Sequence, residues 1–355
     1  DAEKTQEIFS AGIDQLDPEE WHEYYGRAAK ETGKHFDPQA GGGTVLISAA
    51  SGLNIEAEGV LDVAAGDTLS GTGLDLSNSG DVNIGTGAAL TLASLQSNGE
   101  VTNSGTLTVT DAITLSGGSV TNTGAISGAV AVSGGALTNS GTVTGDVTLT
   151  GGTVTTSGTI SGATSVGADA VLVSQGGSFS DDVLIAEEGR LELSGTTSVA
   201  GDVTNDGVII ATQSGAALSV TGVLTINGTI DGSVGAFSVG ADVVRLAADA
   251  VVSDVIFDAE VENAGTLELG RDFTAAQDVT TLVGSTTRVT AQIAGNGVDI
   301  TNAGSFEIEA GAGLTGLGVL RNSNAMTIGA GAELTAQSID NSGTLAIGAG
   351  GTLEG

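Results

Sequence analysis

The chain has 355 residues, of which 58 are Gly, 2 are Pro and none is Cys, and 40% are hydrophobic although only 3% are aromatic. Gly does not recur at every third residue, which excludes a collagen triple helix, and the many Val, Ile and Leu residues argue against a disordered chain. The formal charge of −34 argues against binding to nucleic acids or to an anionic membrane surface, because both need clustered Lys and Arg.

Residues 1–40 differ in composition from the rest of the chain, because they contain both His, the only Trp, both Tyr, both Pro and all three Lys residues. We predict two α-helices here; the second begins after Asp17, with Pro18 at the first helical position and Glu20 at the third. Such a pair would cap the open end of the adjoining domain, or it would dock on a cell-surface partner. The apolar residues assigned to this cap or docking interface are Ile8, Phe9, Ile13, Leu16, Trp21, Tyr24 and Tyr25.

Residues 41–355 contain an Asn-Ser-Gly-like tripeptide that recurs with a period of about 19 residues, or multiples of it. Asn and Gly favour the left-handed backbone of a tight turn. The tripeptides begin at Asn78, Asn103, Asn122, Asn139, Thr156, Asn205, Asn263, Asn302, Asn322 and Asn341.

After each tripeptide, apolar residues alternate with mostly polar ones, which is the pattern of a strand with one buried face. A strand this short cannot fold alone, so each repeat forms one rung of a stack. The residue four positions after the first residue of each tripeptide is apolar in all ten repeats. These predicted residues of the core columns are Val82, Leu107, Ile126, Val143, Ile160, Ile209, Leu267, Phe306, Met326 and Leu345.

The repeat predicts an all-β fold, a single-stranded parallel β-helix or solenoid of about 16 rungs with a short N-terminal α-helical cap. We expect the solenoid to occupy residues 41–355 as one domain. The last repeat stops in mid-pattern after Asn341, so we expect either a longer natural solenoid or an end that stacks on another molecule.

The tandem segment SVTNTGAISGAVAVSGGALTNSGTVTGDVTLTGGTVTTSGTI, residues 119–160, resembles the passenger regions of bacterial autotransporters and related haemagglutinin-like adhesins. The resemblance extends over residues 44–355. It implies a right-handed β-helix that is secreted and displayed outside a Gram-negative cell. Surface-layer and extracellular fibre proteins share the same repeat, which marks no catalytic position.

The residue types that catalysis needs are scarce in the repeat region, because the chain has no His, Lys, Tyr or Trp after residue 38. Solenoid enzymes that cleave polysaccharides need basic residues, or two carboxylates that face one cleft. Asp181 and Asp182 are adjacent and would point to opposite faces of a strand. We therefore predict no catalytic residue and no enzymatic activity. The alternative is a carbohydrate-active enzyme, a polysaccharide lyase or hydrolase on a β-helix scaffold.

Acidic residues concentrate in the second half of the chain, and like charges on successive rungs would stand about 4.8 Å apart and repel. A solvated acidic face is the favoured interpretation, so we predict no cofactor. The alternative is scattered calcium bound between carboxylates. Its candidate ligands are Asp181, Asp182, Glu187, Glu188, Asp254, Asp258, Glu260 and Glu262.

Taken together, these features predict an extracellular, non-enzymatic structural protein. It would be an adhesin-like surface stalk, or a subunit of a filament or surface layer. Its expected partners are other copies of itself or cell-surface components, without nucleic acid and without direct insertion into a membrane.

Overall fold

The computed structural model describes residues 44–46, 52–235, 237–248, 250–253, 255–269 and 278–355. Every regular element in these ranges is a β-strand, and the strands pair in parallel. No helix in them is long and apolar enough to cross a membrane. The predicted cap or docking interface, residues 1–40, lies outside the described residues.

The chain divides into two compact units, Asp1–Val154 and Thr155–Gly355. The strands described in unit 1 are β1 Thr44–Leu46, β2 Leu53–Ile55, β3 Val60–Val63, β4 Thr68–Ser70, β5 Asp75–Asn78, β6 Asp81–Ile84, β7 Ala89–Leu92, β8 Ser94–Ser97, β9 Glu100–Asn103, β10 Thr106–Leu115, β11 Ser119–Asn122, β12 Ala125–Val132, β13 Ala136–Asn139, β14 Thr142–Val143 and β15 Val147–Leu149. Strand β16, Thr153–Thr156, lies across the boundary.

The strands described in unit 2 are β17 Thr159–Ile160, β18 Thr164–Val166, β19 Val171–Ser174, β20 Ser178–Phe179, β21 Val183–Ile185, β22 Arg190–Leu193, β23 Thr196–Val199, β24 Val203–Asn205, β25 Val208–Ala211, β26 Ala217–Val220, β27 Val223–Ile226, β28 Thr229–Asp231, β29 Phe237–Leu246, β30 Val251–Ser253, β31 Val255–Asn263, β32 Thr266–Leu269, β33 Val279–Thr281, β34 Thr286–Val289, β35 Gln292–Ala294, β36 Ile300–Asn302, β37 Ser305–Ile308, β38 Gly313–Asn322, β39 Ala325–Ile328, β40 Glu333–Asn341, β41 Thr344–Ile347 and β42 Thr352–Glu354.

Each unit has two parallel sheets. In unit 1 the front sheet consists of β3, β6, β9, β11 and β13, and in unit 2 it consists of β19, β22, β25, β28, β30, β32, β34, β37, β39 and β41. The other strands of each unit form its back sheet. Because each rung contributes one front strand, the predicted parallel β-solenoid is confirmed, with about 15 rungs. Its right-handedness stays a prediction.

Alternate residues of each strand point inward, as the sequence pattern predicts. In β9, Val101 and Asn103 are buried, whereas Glu100 is exposed and Thr102 is half-buried. Inward residues of successive rungs lie opposite one another in the parallel register, as Val101 and Val120 do. Burial of one aliphatic side chain contributes about 1.5 to 3 kcal/mol. Since each side chain is covered by the next rung, the stability of a rung depends on its neighbours.

The recurring tripeptide occupies two different corners of the rung. The front corner leads from the front sheet to the back sheet and holds Asn103 and Asn122, at the ends of β9 and β11. The back corner leads from the back sheet to the front sheet and holds Asn78 and Asn302, at the ends of β5 and β36. One rung beyond Asn78 stands Ser97, not Asn103. The tripeptides therefore do not mark one repeated position.

Because the tripeptides change corner, the ten predicted core residues belong to two sheets. The residues in the back sheets are Leu107, Ile126, Val143 and Ile160. The residues in the front sheets are Val82, Ile209, Leu267, Phe306, Met326 and Leu345. All are buried except Leu345, which is half-buried. Leu107 lies opposite Ile126, and Ile126 lies opposite Val143, in successive strands.

Candidate functional site

A ladder of buried asparagines joins three rungs at the front corner of unit 1. The Nδ2 group of Asn103 donates to Oδ1 of Asn122 over 2.7 Å, and Nδ2 of Asn122 donates to Oδ1 of Asn139 over 2.7 Å. The same groups donate to main-chain oxygens of the next rung, Ala125 at 2.9 Å and Thr142 at 3.2 Å. These side chains therefore fasten rungs in addition to the strand pairing.

A second ladder follows the back corner of unit 2. The hydroxyl of Thr281 donates to Oδ1 of Asn302. The Nδ2 group of Asn302 donates to Asn322, and that of Asn322 donates to Asn341, both over 2.7 Å. Asn263, at the same corner, instead donates to the hydroxyl of Thr287 over 2.9 Å. The two units thus build the same kind of ladder at different corners.

The ladders connect successive rungs through buried side chains. Buried amides are costly unless they are hydrogen-bonded, and a fully bonded line of them stiffens and specifies the interior. The sequence pattern predicts these asparagines only as turn residues, and it does not predict the ladder. A signal was present, because Asn103 follows Val101 by two residues and so shares its inward phase.

The calcium candidates around Asp181 bind the main chain. Oδ1 of Asp181 accepts the N–H of Asp182 over 2.8 Å, and Oδ1 of Asp182 accepts the N–H of Asp202 in the next rung over 2.8 Å. Glu187 and Glu188 are both exposed, and Glu188 has a φ of 63°. These four side chains do not surround a common point that a cation could fill, according to the arrangement of the described residues.

The second group of calcium candidates is also dispersed. Asp258 is exposed on β31, and Glu262 on the same strand is an ion-pair partner of Arg245 at 3.0 Å. Asp254 and the side chain of Glu260 lie outside the described part of the structure. Within the described ranges, no group of three or more acidic or His side chains is placed to hold a metal ion.

The four arginines that the structure describes each have an acidic partner. The pairs are Arg190 with Glu192 at 2.7 Å, Arg245 with Glu262 at 3.0 Å, Arg321 with Asp299 at 3.2 Å, and Arg288 with Glu309 at 3.4 Å and Glu307 at 3.7 Å. Their side chains are 43–52% exposed, so each pair contributes little to stability. They neutralise part of an acidic, solvated surface.

Among these pairs, Asp299 accepts a hydrogen bond from the main chain as well as from its arginine. The main-chain N–H of Val319 donates to Oδ1 over 2.7 Å, and Arg321 donates to Oδ2 over 3.2 Å. The bond from Val319 is the main cause that lowers the pKa of Asp299 below 3.8. Partial desolvation opposes it, and the hydrogen bond and charge of Arg321 lower the pKa further.

We expect a carboxyl-carbon NMR titration of the Asp-labelled chain to give Asp299 a midpoint below 3.8. Arg321→Gln should raise this midpoint only in part, because the Val319 hydrogen bond remains. Arg190→Gln is the matched control and should leave it unchanged, since Arg190 binds Glu192. A midpoint of Asp299 at or above the ordinary value would contradict the hydrogen-bond assignment.

The fold and the ladders define this protein as a parallel β-solenoid in which asparagines at the corners bind one another from rung to rung. No family model and no curated protein matches the sequence. Among solved structures, the chain is similar to the crystal structure of a TibC-catalyzed hyper-glycosylated TibA55-350 fragment, with 16% identity and a TM-score of 0.49. The similarity covers 88% of this chain and 100% of that one, and at this level it carries no argument about function.

Proposed function

We propose that the chain is an extracellular structural β-solenoid, either an adhesin-like surface stalk or a subunit of a filament or surface layer built by end-to-end stacking. A Gram-negative cell surface is the proposed location, and other copies of the chain or cell-surface components are the proposed partners. The sequence resemblance of residues 44–355 to autotransporter passengers supports this location.

The observation that carries the proposal is the use of buried polar side chains for fastening. In unit 1, Asn103 and Asn122 each donate to the next asparagine of the ladder and to a main-chain oxygen, and Asn139 accepts from Asn122. A ladder of this kind adds stiffness along a stack of rungs and presents no group to a substrate. A stiff solenoid with a charged surface is suited to act as a spacer that presents or supports other structures.

The surface of unit 2 agrees with this role. Its described arginines pair with acids, as Arg288 does with Glu307 and Glu309, and they do not gather into a basic cluster within the described ranges. An enzyme that cleaves acidic polysaccharides would need such a cluster to neutralise its substrate. We therefore favour a structural role over the carbohydrate-active alternative.

Antibodies raised against the purified chain test the location. We expect immunogold labelling of intact source cells, and loss of the label after external protease treatment. Antibodies against a cytoplasmic protein of the same cells are the control and should label only permeabilised cells. Labelling of the chain only after permeabilisation would refute an extracellular role.

Electron microscopy and an activity assay separate the remaining options. Filaments of the purified chain would support end-to-end stacking, and single particles would support a stalk. Incubation with acidic and neutral polysaccharides should release no reducing ends and no unsaturated sugars. Release of either would favour the lyase or hydrolase alternative instead.

A further inference from the structure

Four aspartates of unit 2 occupy equivalent places in their rungs. Asp182, Asp202, Asp278 and Asp299 each stand directly before a back-sheet strand, at the start of β21, β24, β33 and β36. In each case Oδ1 accepts a main-chain N–H from the next rung. The donors are Asp202 to Asp182 at 2.8 Å, Val223 to Asp202 at 2.8 Å, Asp299 to Asp278 at 3.0 Å, and Val319 to Asp299 at 2.7 Å.

Glycines make room for three of these contacts. Gly201, Gly222 and Gly318 each precede the residue that donates the N–H. A Cβ atom added at any of the three would overlap Oδ1 of the accepting aspartate. The pairing of an aspartate in one rung with a glycine in the next is therefore a specific local arrangement, and it distinguishes these acids from the merely exposed ones.

A charged acceptor strengthens this contact, and water screens it in part because Asp182, Asp202 and Asp278 are exposed. Hydrogen bonds from N–H groups to carboxylates are about twice as strong as those between neutral groups. Protonation of the carboxylate removes the charge and weakens the contact between rungs. Other charged residues lie on or next to the same back-sheet strands of unit 2. Together with the four aspartates, the described ones are Asp181, Asp182, Asp202, Asp242, Asp278, Asp299, Arg321 and Asp340, with the Arg245–Glu262 pair beside them.

We propose that these four carboxylates fasten consecutive rungs of unit 2 through charged hydrogen bonds, and that in acid the contact at Asp299 is released. The contact at Asp299 favours the charged carboxylate, so its stabilisation is present above the unfolded pKa of about 3.9 and is lost as the pH falls through the lower folded pKa of Asp299. The four aspartates would then act as clasps between rungs rather than as a cation site.

Thermal unfolding of Asp202→Asn and Asp299→Asn tests the proposal, each in the full chain. Asn keeps the shape and the acceptor oxygen, so both variants should fold. At neutral pH we expect each to lower the unfolding temperature by about 2 to 4 °C. For Asp299→Asn we expect this difference to vanish once the pH is below the folded pKa of Asp299, because the native carboxyl is then neutral as well. Glu187→Gln is the matched control, since Glu187 is exposed, and it should not lower the temperature at either pH.

Three results would overturn the proposal. The first is an unfolding temperature of both variants equal to that of Glu187→Gln at neutral pH. The second is a difference for Asp299→Asn that persists unchanged below the folded pKa of Asp299, which would indicate a role of shape alone at that contact. The third is a rise in the unfolding temperature with added calcium chloride in the native chain but not in the variants, which would show that the carboxylates serve a cation.

Discussion

We expect replacement of Gly124 by alanine to lower the free energy of unfolding by about 2 to 4 kcal/mol. Gly124 stands at the front corner, where an added Cβ would overlap the carbonyl oxygen of Gly105 in the preceding rung. That oxygen accepts the N–H of Ala125 over 2.8 Å, so the methyl group would push apart two rungs and break their hydrogen bond. Guanidinium denaturation followed by circular dichroism measures the change.

Gly73→Ala is the matched control for this prediction. An added Cβ at Gly73 has no atom within 4 Å, and its φ does not lie in the left-handed region. Alanine there should leave the stability unchanged or raise it by up to about 1 kcal/mol, because it restricts the unfolded chain. Equal losses in the two variants would mean that helical or strand propensity, not the close approach of rungs, determines the effect.

The sequence was sufficient to predict the solenoid because each rung obeys a local rule. Alternation places Leu107 and Ile126 inward, and a repeat that cannot fold alone has to stack. Both consequences follow from side-chain period and burial, which can be read without knowing the fold. Neither depends on which sheet a given strand joins.

The assignment of strands to sheets could not be read in the same way. The corner sequences after Asn78 and Asn103 look alike, although the first leads into the front sheet and the second into the back sheet. Asn and Gly relieve the same backbone constraint at both corners, so the tripeptide carries no information about which corner it occupies. Only the register between rungs shows which corner a tripeptide occupies. That register cannot be counted from the sequence, because the rung length is not constant: Val252 lies 15 residues before its partner Leu267, whereas Ile230 lies 22 residues before Val252.

The roles of the acids were also beyond the sequence. The sequence predicts that adjacent acids such as Asp181 and Asp182 point apart, but it does not show which group each carboxylate binds. Asp182 meets the N–H of Asp202, 20 residues later. Sequence patterns show which residues are charged, whereas the parallel register determines whether a carboxylate meets a cation, an arginine or a main-chain amide.

We expect Asn122→Ala to lower the free energy of unfolding by about 2 to 4 kcal/mol. Asn122 is fully buried, accepts a hydrogen bond from Asn103 and donates one to Asn139, both over 2.7 Å. Alanine at this position leaves Nδ2 of Asn103 and Oδ1 of Asn139, both buried, without this hydrogen-bond partner. Asn98→Ala is the control: Asn98 is an exposed corner residue, so its replacement should change the stability by no more than about 0.5 kcal/mol.

A triple replacement of Asn103, Asn122 and Asn139 by leucine separates the ladder from simple packing. Removing both partners of a buried hydrogen bond is much less costly than removing one, because no amide is left unpaired. The buried Ile84 is the partner of Asn103 in the neighbouring front strand, so an aliphatic side chain is accommodated at this corner. We therefore expect the triple variant to lose less free energy of unfolding than the three single Asn→Leu variants lose in sum. Additive losses would mean that each asparagine acts alone, through its turn geometry, and that the ladder does not join the rungs.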